Sequence, residues 1–293
     1  MNETLPITIC LPVRNEARNL PGCLESLGTA FPQVVVVDSS STDRTVEIAR
    51  AAGAEVLEFL WDGQFPKKRN WALRAGVFTQ PWVLFLDADE RMTQAMVDEL
   101  RRVLPTTAHN GFWIEYTNWF MGRPLRHGDT MCKLALLRIG AGEYERFPED
   151  SWSSLDMEVH EHPVLAGTVG RLASRLEHHD HRGLQAYLAR HNEYSTWEAR
   201  RFLWLAEAGP QAWATLNDRQ KFKYRHLDAW WLAWLYWFAA LLLKRGFLDG
   251  VAGWRLAALK RRYFHEIRLK ILEASHEDAS WRDAKVTTVQ RVS

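Results

Sequence analysis

The first hundred residues alternate short apolar runs with amphipathic stretches, and that alternation narrows the possible folds more than any other feature. Residues 6–12 (PITICLP) read as a buried strand ended by Pro12. The β-branched run VVVV at 34–37 is too short for a helix and reads as a second strand. Residues 54–60 and 82–87 (WVLFLD) read as a third and a fourth. Segments with helical character lie between and after them: 15–30 with Asn15 as a cap, 42–52 stopped at Gly53, 67–77, and 93–104. Strands and helices alternating at this pace build right-handed βαβ units, hence an α/β fold with a mainly parallel sheet and helices on both faces. Ligands of such sheets bind beyond the carboxyl ends of the strands. Three polar turns fall there: Pro12 to Glu16, Asp38 to Ser41, and Asp87 to Asp89. No G-x-G-x-x-G or G-x-x-x-x-G-K-[ST] loop follows the first strand, which argues against dehydrogenase and P-loop enzymes.

Each turn carries residues suited to a phosphorylated ligand. Asp87 and Asp89, in the string DADE, put two carboxylates one residue apart just past a buried strand. Their repulsion has to be offset by a cation, by hydrogen bonds or by water. A hard divalent ion that also binds a diphosphate fits; a solvated turn capping the next helix is the plain alternative. Asp38 ends the second strand. It either caps the helix at 42–52 or, because Ser41 and Thr42 can cap as well, faces a base or ribose. Arg14 and Glu16 form either a surface ion pair or part of a ligand pocket. Lys67, Lys68 and Arg69 stand before a helix, as a solvated basic patch or as cations for phosphate.

Taken in order, ITICLPVRNEARNL, VVVVDSSSTDRT, KKRNWAL and WVLFLDADE resemble family 2 glycosyltransferases of the GT-A fold, a Rossmann-like architecture. The resemblance implies a nucleotide-sugar donor, UDP-linked or similar, and a divalent metal, Mg or Mn. By position it implies that Pro12, Arg14 and Glu16 line the nucleotide pocket, that Asp38 contacts the base, and that Arg69 lies near ribose and phosphates. It further implies that Asp87 faces the nucleotide and Asp89 holds the metal. Beyond residue 110, NWFMGRPLRHG (118–128), VHE (159–161), GRL with a following histidine (170–178) and RGFLDGVAGW (245–254) resemble a narrower group. Its members are lipopolysaccharide core glycosyltransferases that add glucose to a heptose. The chain departs from that group at DTMCK (129–133) and at 143–157, both on the acceptor side.

Transfer with inversion needs a base for the acceptor hydroxyl, commonly a carboxylate. Glu149, Asp150, Asp156, Glu158 and Glu161 are the candidates; the resemblance favours Glu161, with Asp150 as runner-up. Of the histidines that follow, His178, His179 and His181, one is expected to complete the metal shell, His178 by choice, since imidazole suits Mn more than Mg; a surface or core histidine is the plain alternative.

The charge is unevenly spread. Residues 219–270 hold 12 Lys/Arg against 3 Asp/Glu, net +9, and the rest of the chain holds 25 against 33, net −8. The overall balance of +1 gives no general case for nucleic acid. Within the basic segment, residues 229–243 (AWWLAWLYWFAALLL) are uncharged over 15 residues and rich in tryptophan. A spanning helix needs about 20 residues. A helix lying at the membrane interface, its basic neighbours on anionic lipid, is the expectation; a buried or dimer-forming helix is the alternative. Residues 251–272 are expected to form a second such helix, with Lys260, Arg261 and Arg262 on its polar side. Cys10, Cys23 and Cys132 fit neither a metal spacing nor a disulfide framework, and no signal peptide is read at the N-terminus. A cytoplasmic protein, peripheral at the inner face of the cytoplasmic membrane, is expected.

The expected organisation is a catalytic domain over 1–182, with a donor half at 1–110 and an acceptor half at 111–182. A helical region with membrane-interface helices covers 183–274 and a flexible tail 275–293. The expected reaction moves a hexose, glucose by resemblance, to a lipopolysaccharide-core or other lipid-linked saccharide. The rivals are a polyprenyl-phosphate sugar transferase and a non-catalytic membrane adaptor that binds nucleotide.

Overall fold

Strand β1 (Ile7–Val13) is buried along its whole length, and its side chains split between two apolar cores. Ile7, Ile9, Leu11 and Val13 join Val36 and Leu84 on one face of the sheet; Cys10 joins Val35, Val37, Val83 and Phe85 on the other. Burial on both faces is why these strands are apolar without alternation. The computed structural model describes residues 4–128, 130–146, 155–158, 161–214 and 216–277. The chain divides into two units, Met1–Pro124 with Thr130–His181, and Leu125–Asp129 with Arg182–Ser293.

In the first unit, β1 pairs in parallel with β2 (Gln33–Asp38) and β4 (Trp82–Phe85), and β2 pairs in parallel with β3 (Glu55–Glu58). Helices α1 (Leu20–Leu27) and α2 (Thr45–Ala51) cover one face through Leu20, Leu27 and Ala49. Helix α3 (Lys68–Arg74) covers the other through Ala72, and α4 (Gln94–Val103) returns to the first through Met96 and Leu100. The expected parallel α/β sheet with helices on both faces is therefore present.

Past β4 the sheet becomes mixed. The later strands are β5 (Glu90–Arg91), β6 (Gly111–Phe120), β7 (Arg123–Pro124), β8 (Met131–Arg138), β9 (Gly142–Tyr144), β10 (Pro163–Leu165) and β11 (Val169–His178). Among the described residues the main sheet runs β3-β2-β1-β4-β8-β6-β11-β5, with β7 turned back on β6; β9 and β10 form a separate pair. Strand β8 runs antiparallel to β4 and β6, and β5 antiparallel to β11.

Helix α1 is shorter than the 15–30 read from the sequence. Asn15 sits in the left-handed region, φ 56°, and its side chain accepts a hydrogen bond from the Thr42 N–H at 2.8 Å. The backbone N–H of Asn15 donates to Ser41 Oγ, that of Glu16 to Thr45 Oγ1, and that of Ala17 to Asp43 Oδ2. These long-range bonds lace the loop after β1 to the loop after β2 and delay the helix until the polar turn is complete.

The second unit is helical: α5 (Gly183–Ala208), α6 (Pro210–Ala214), α7 (Asp218–Arg225), α8 (Leu232–Phe238) and α9 (Gly250–Glu277). Its core gathers Phe202, Leu205, Trp213, Tyr224, Leu232, Ile267 and Ile271. The uncharged run 229–243 is not one continuous α-helix, because α8 passes into a π-helical turn at Ala239–Leu243. No helix among the described residues is long and apolar enough to cross a membrane. The basic trio on α9 does not share one solvated face. Lys260 lines a cavity, Arg261 lies 4.2 Å from the Trp234 ring centroid, and Arg262 pairs with Glu266 at 2.7 Å.

Candidate active site

The carboxyl ends of β1, β2 and β4 bring the three polar turns of the first unit to one edge of the sheet. Pro12 is buried in β1; Arg14 is exposed just beyond it, and the Glu16 carboxylate accepts from Asn19 Nδ2 at 2.8 Å. Asp38, buried at the end of β2, accepts from the Ser41 backbone N–H at 2.9 Å and from its hydroxyl. The Thr45 N–H that opens α2 donates to the Asp43 carboxylate at 3.0 Å, so Asp38 is not needed for that task.

The two aspartates after β4 have different partners. Asp87 carries two cations: Arg69 Nη2 donates to Oδ1 at 2.7 Å, and Lys133 Nζ donates to Oδ2. Burial works against its charge, but Lys133 and Arg69 hold its carboxyl below the usual range. Lys133 also donates to Glu90 Oε1 at 2.6 Å. Glu90 is fully buried, and burial pushes its carboxyl up to about 7 against the pull of Lys133. Asp89 instead faces an imidazole, with His178 Nε2 3.4 Å from its Oδ2. Strand pairing fixes this approach. His178 of β11 is in register with Glu90 of β5, and the His179 N–H donates to the Asp89 carbonyl at 2.6 Å. Burial opposes charge on His178, yet the Asp89 carboxylate lifts its imidazole above the ordinary value.

Lys67, Lys68 and Arg69 are all buried, which removes the reading of a solvated patch. Each meets acid from the segment after β9. Lys67 Nζ lies 2.9 Å from Glu161 Oε1, and Lys68 Nζ lies 3.2 Å from Asp156 Oδ2 and donates to the Val13 carbonyl at 3.1 Å. The Glu158 carboxylate accepts from the backbone N–H groups of Arg69 (2.9 Å) and Asn70 (3.0 Å), so it caps α3. Three cations at a helix N-terminus oppose its dipole, and Glu158 offsets that. Asp150, the runner-up base, lies outside the described residues, as does Glu149.

With Asp87 occupied by two cations, Asp89 and His178 are the pair that suits a metal. Among the described residues no three His, Cys, Asp or Glu side chains converge as a complete metal shell. A carboxylate oxygen and an imidazole nitrogen still suit Mn or Mg, which commonly take their remaining ligands from water and substrate phosphates. The sequence reading missed Lys133 and Glu90. A signal existed: Lys133 is the lone charge in the strand run MCKLALL.

The model of the glycosyl transferase family 2 matches residues 8–144, which hold the turns after β1, β2 and β4 together with Arg69 and Lys133, but not His178, His179 or the acids from Glu149 to Glu161. Over residues 8–144 the chain is similar to family 2 glycosyl transferases. The lipopolysaccharide core biosynthesis glycosyltransferase LpsC of Rhizobium meliloti is 29% identical over 215 residues, 68% of this chain and 72% of that protein. A TPR repeat-containing protein of Synechococcus elongatus is 41% identical over 98 residues, 33% of this chain and 24% of that protein. For six curated relatives, that one included, the match spans 24% to 38% of their own length. Among solved structures, glucosyl-3-phosphoglycerate synthase of Mycobacterium tuberculosis in complex with Mn2+, UDP and glucosyl-3-phosphoglycerate aligns over 40% of this chain and 45% of that one. Its identity is 23% and its TM-score 0.31.

Proposed function

We propose that this protein is a metal-dependent inverting glycosyltransferase. It moves a hexose, glucose, from a UDP-linked donor to a saccharide of the lipopolysaccharide core or another lipid-linked saccharide. The observation that carries this reading is the divided aspartate pair: Asp87 tied to Arg69 and Lys133, Asp89 set against His178. Such a site offers fixed cations and a cation-binding pair side by side, which suits a diphosphate leaving group. The likeness to LpsC supports the core-saccharide acceptor.

In this reading Pro12, Arg14, Glu16 and Asp38 receive the nucleotide, and the Arg69 guanidinium, oriented by Asp87 and Glu158, faces its phosphates. Asp89 and His178 hold the divalent ion, which when bound supplies positive charge against the departing diphosphate. Glu161 takes the proton from the acceptor hydroxyl, with Asp150 as the alternative base. Because Glu161 is buried against Lys67, its release from that pair is part of acceptor binding.

The second unit holds the enzyme at the inner face of the cytoplasmic membrane. Trp230, Trp234, Phe238, Leu243, Leu248 and Trp254 are exposed on α8, α9 and the turns before and between them. Exposed apolar clusters of this kind mark interaction surfaces. Tryptophan beside arginine suits the headgroup region of an anionic bilayer. The test is a transfer assay with UDP-glucose and core oligosaccharide, with and without Mn or Mg. Metal-dependent release of UDP with a hexose added to the oligosaccharide supports the proposal. An inactive protein with a range of nucleotide sugars and acceptors contradicts it.

A further inference from the structure

Two strings far apart in the chain, LRHG at 125–128 and RGFLDGVAG at 245–253, meet within the second unit. The Asp249 carboxylate accepts from the backbone N–H groups of Arg126 (3.0 Å) and His127 (2.9 Å), and the Gly128 N–H donates to the Lys244 carbonyl at 2.8 Å. Glycine is required where the backbones touch. A Cβ at Gly246 would stand 2.6 Å from the Ala240 carbonyl oxygen, and one at Gly253 would stand 2.0 Å from that of Gly246. A cavity of about 310 Å³ opens beside this junction. That volume lies at the small end of the range for ligand sites.

The lining is divided by chemistry. Leu125, Leu256 and Phe264 are apolar. Tyr187 stacks on His191 at 3.8 Å between centroids, and Tyr263 meets the same imidazole edge-on at 5.5 Å. Lys260, half-buried, places its ammonium 5.5 Å from the Tyr236 ring, and the one carboxylate of the lining among the described residues, Asp249, is engaged by the Arg126 and His127 N–H groups. Burial pulls the Lys260 amine down to about 8, so an anion beside it would recover the lost charge stabilisation. Burial also pushes the Tyr187 phenol up to about 12 and raises that of Tyr263, so both hydroxyls keep their protons and remain donors. His191 places Nδ1 2.9 Å from the Tyr187 carbonyl oxygen, and burial lowers its imidazole. In a neutral ring the Nδ1 therefore carries the hydrogen and Nε2 is left as an acceptor.

A point cation with two hydroxyl donors suits a phosphate, and ring walls with an acceptor suit a polyol. We propose that this cavity binds a phosphorylated polyol, with Lys260 meeting the phosphate and the Tyr187, His191 and Tyr263 rings flanking the polyol. Two sources share that chemistry: a sugar phosphate within a saccharide, and the glycerophosphate headgroup of a lipid. The site rests on the second unit alone and does not require the transferase reading.

Isothermal titration of the full chain tests it, with glucose 6-phosphate, glucose, and a short-chain phosphatidylglycerol below its micelle concentration. At least one phosphorylated probe binds with Kd on the order of 1 mM or tighter, and glucose binds about tenfold or more weakly. Lys260→Gln weakens the phosphorylated probe by about tenfold, Lys260→Arg keeps it, and Tyr187→Phe weakens it severalfold with the melting temperature unchanged. Binding of glucose 6-phosphate alone identifies the saccharide source, and binding of the short-chain lipid alone identifies the headgroup. Absence of binding by both overturns the proposal. So does glucose binding as tightly as its phosphate, or binding that Lys260→Gln and Tyr187→Phe both leave intact.

Discussion

His178 Nε2 lies 3.4 Å from Asp89 Oδ2, although the two residues are 89 positions apart in the chain. The pairing of β11 with β5 and the hydrogen bond from His179 to the Asp89 carbonyl create this approach. Two positions before Asp89, Asp87 is already held by Arg69 and Lys133. One turn thus presents a neutralised carboxylate and a carboxylate–imidazole pair, and the difference between them comes from partners supplied by other strands and helices.

Lys133 is expected to matter as much as the aspartates. Lys133→Met leaves Glu90 buried and Asp87 with one cation fewer. Breaking a buried pair in this way costs about 3–5 kcal/mol. Chemical denaturation should show that loss, and the double variant Lys133→Met, Glu90→Gln should recover a large part of it. A Lys133→Met protein as stable as the parent contradicts the network.

Glu158 caps α3 and holds Arg69 in place. Glu158→Ala should cost about 3 kcal/mol and weaken UDP binding, because the Arg69 backbone loses its acceptor. Unchanged UDP affinity in calorimetry would separate Arg69 from the donor site.

Glu161→Gln keeps the shape of the proposed base and removes its proton affinity. Turnover should fall by about a hundredfold while UDP binding survives. Lys67→Met breaks the same ion pair and controls for stability. If Glu161→Gln stays active and Asp150→Asn is the variant that dies, the base is Asp150.

Stability should depend on pH through Lys260. Its amine sits at about 8 in the folded chain, below the ordinary 10.5, so between those values the unfolded chain binds more protons. Stability therefore rises with pH across that window, relative to Lys260→Met, which lacks the group. Denaturation midpoints of both proteins at pH 7, 8, 9 and 10 would check the sign. A difference that stays flat or falls contradicts it.

Peripheral membrane docking predicts co-sedimentation of the purified chain with anionic vesicles, weakened and not abolished by high salt. Replacing Leu243, Leu248 and Trp254 with serine should release it, since all three are exposed and contribute little to the core. A parent protein left in the supernatant at low salt makes those side chains contacts for another protein surface.

The centre of the parallel sheet was legible because β1, β2 and β4 are largely buried on both faces and so read as unbroken apolar runs. Helix α5 lies within the helical C-terminal segment that was expected. Local pattern failed where distant partners decide. Asn15 starts no helix because Ser41 and Thr42 engage it from the next loop. The KKR string left a solvated reading open because its carboxylates stand 88 to 94 residues further on and fold back over it. Lys133 reaches Asp87 and Glu90 across the β8–β4 pairing, which no local string announces.

The central claim is that Asp89 and His178 bind the divalent ion on which sugar transfer depends. The most direct measurement is Mn titration of UDP-glucose turnover, with Mn binding followed in parallel by calorimetry in the presence of UDP. It compares the parent with Asp89→Asn and His178→Ala. The account predicts saturable Mn dependence in the parent. It predicts loss of turnover and of Mn binding in Asp89→Asn, and a weakened Mn affinity in His178→Ala, with both variants folded. Near-normal, Mn-dependent turnover in Asp89→Asn would contradict it.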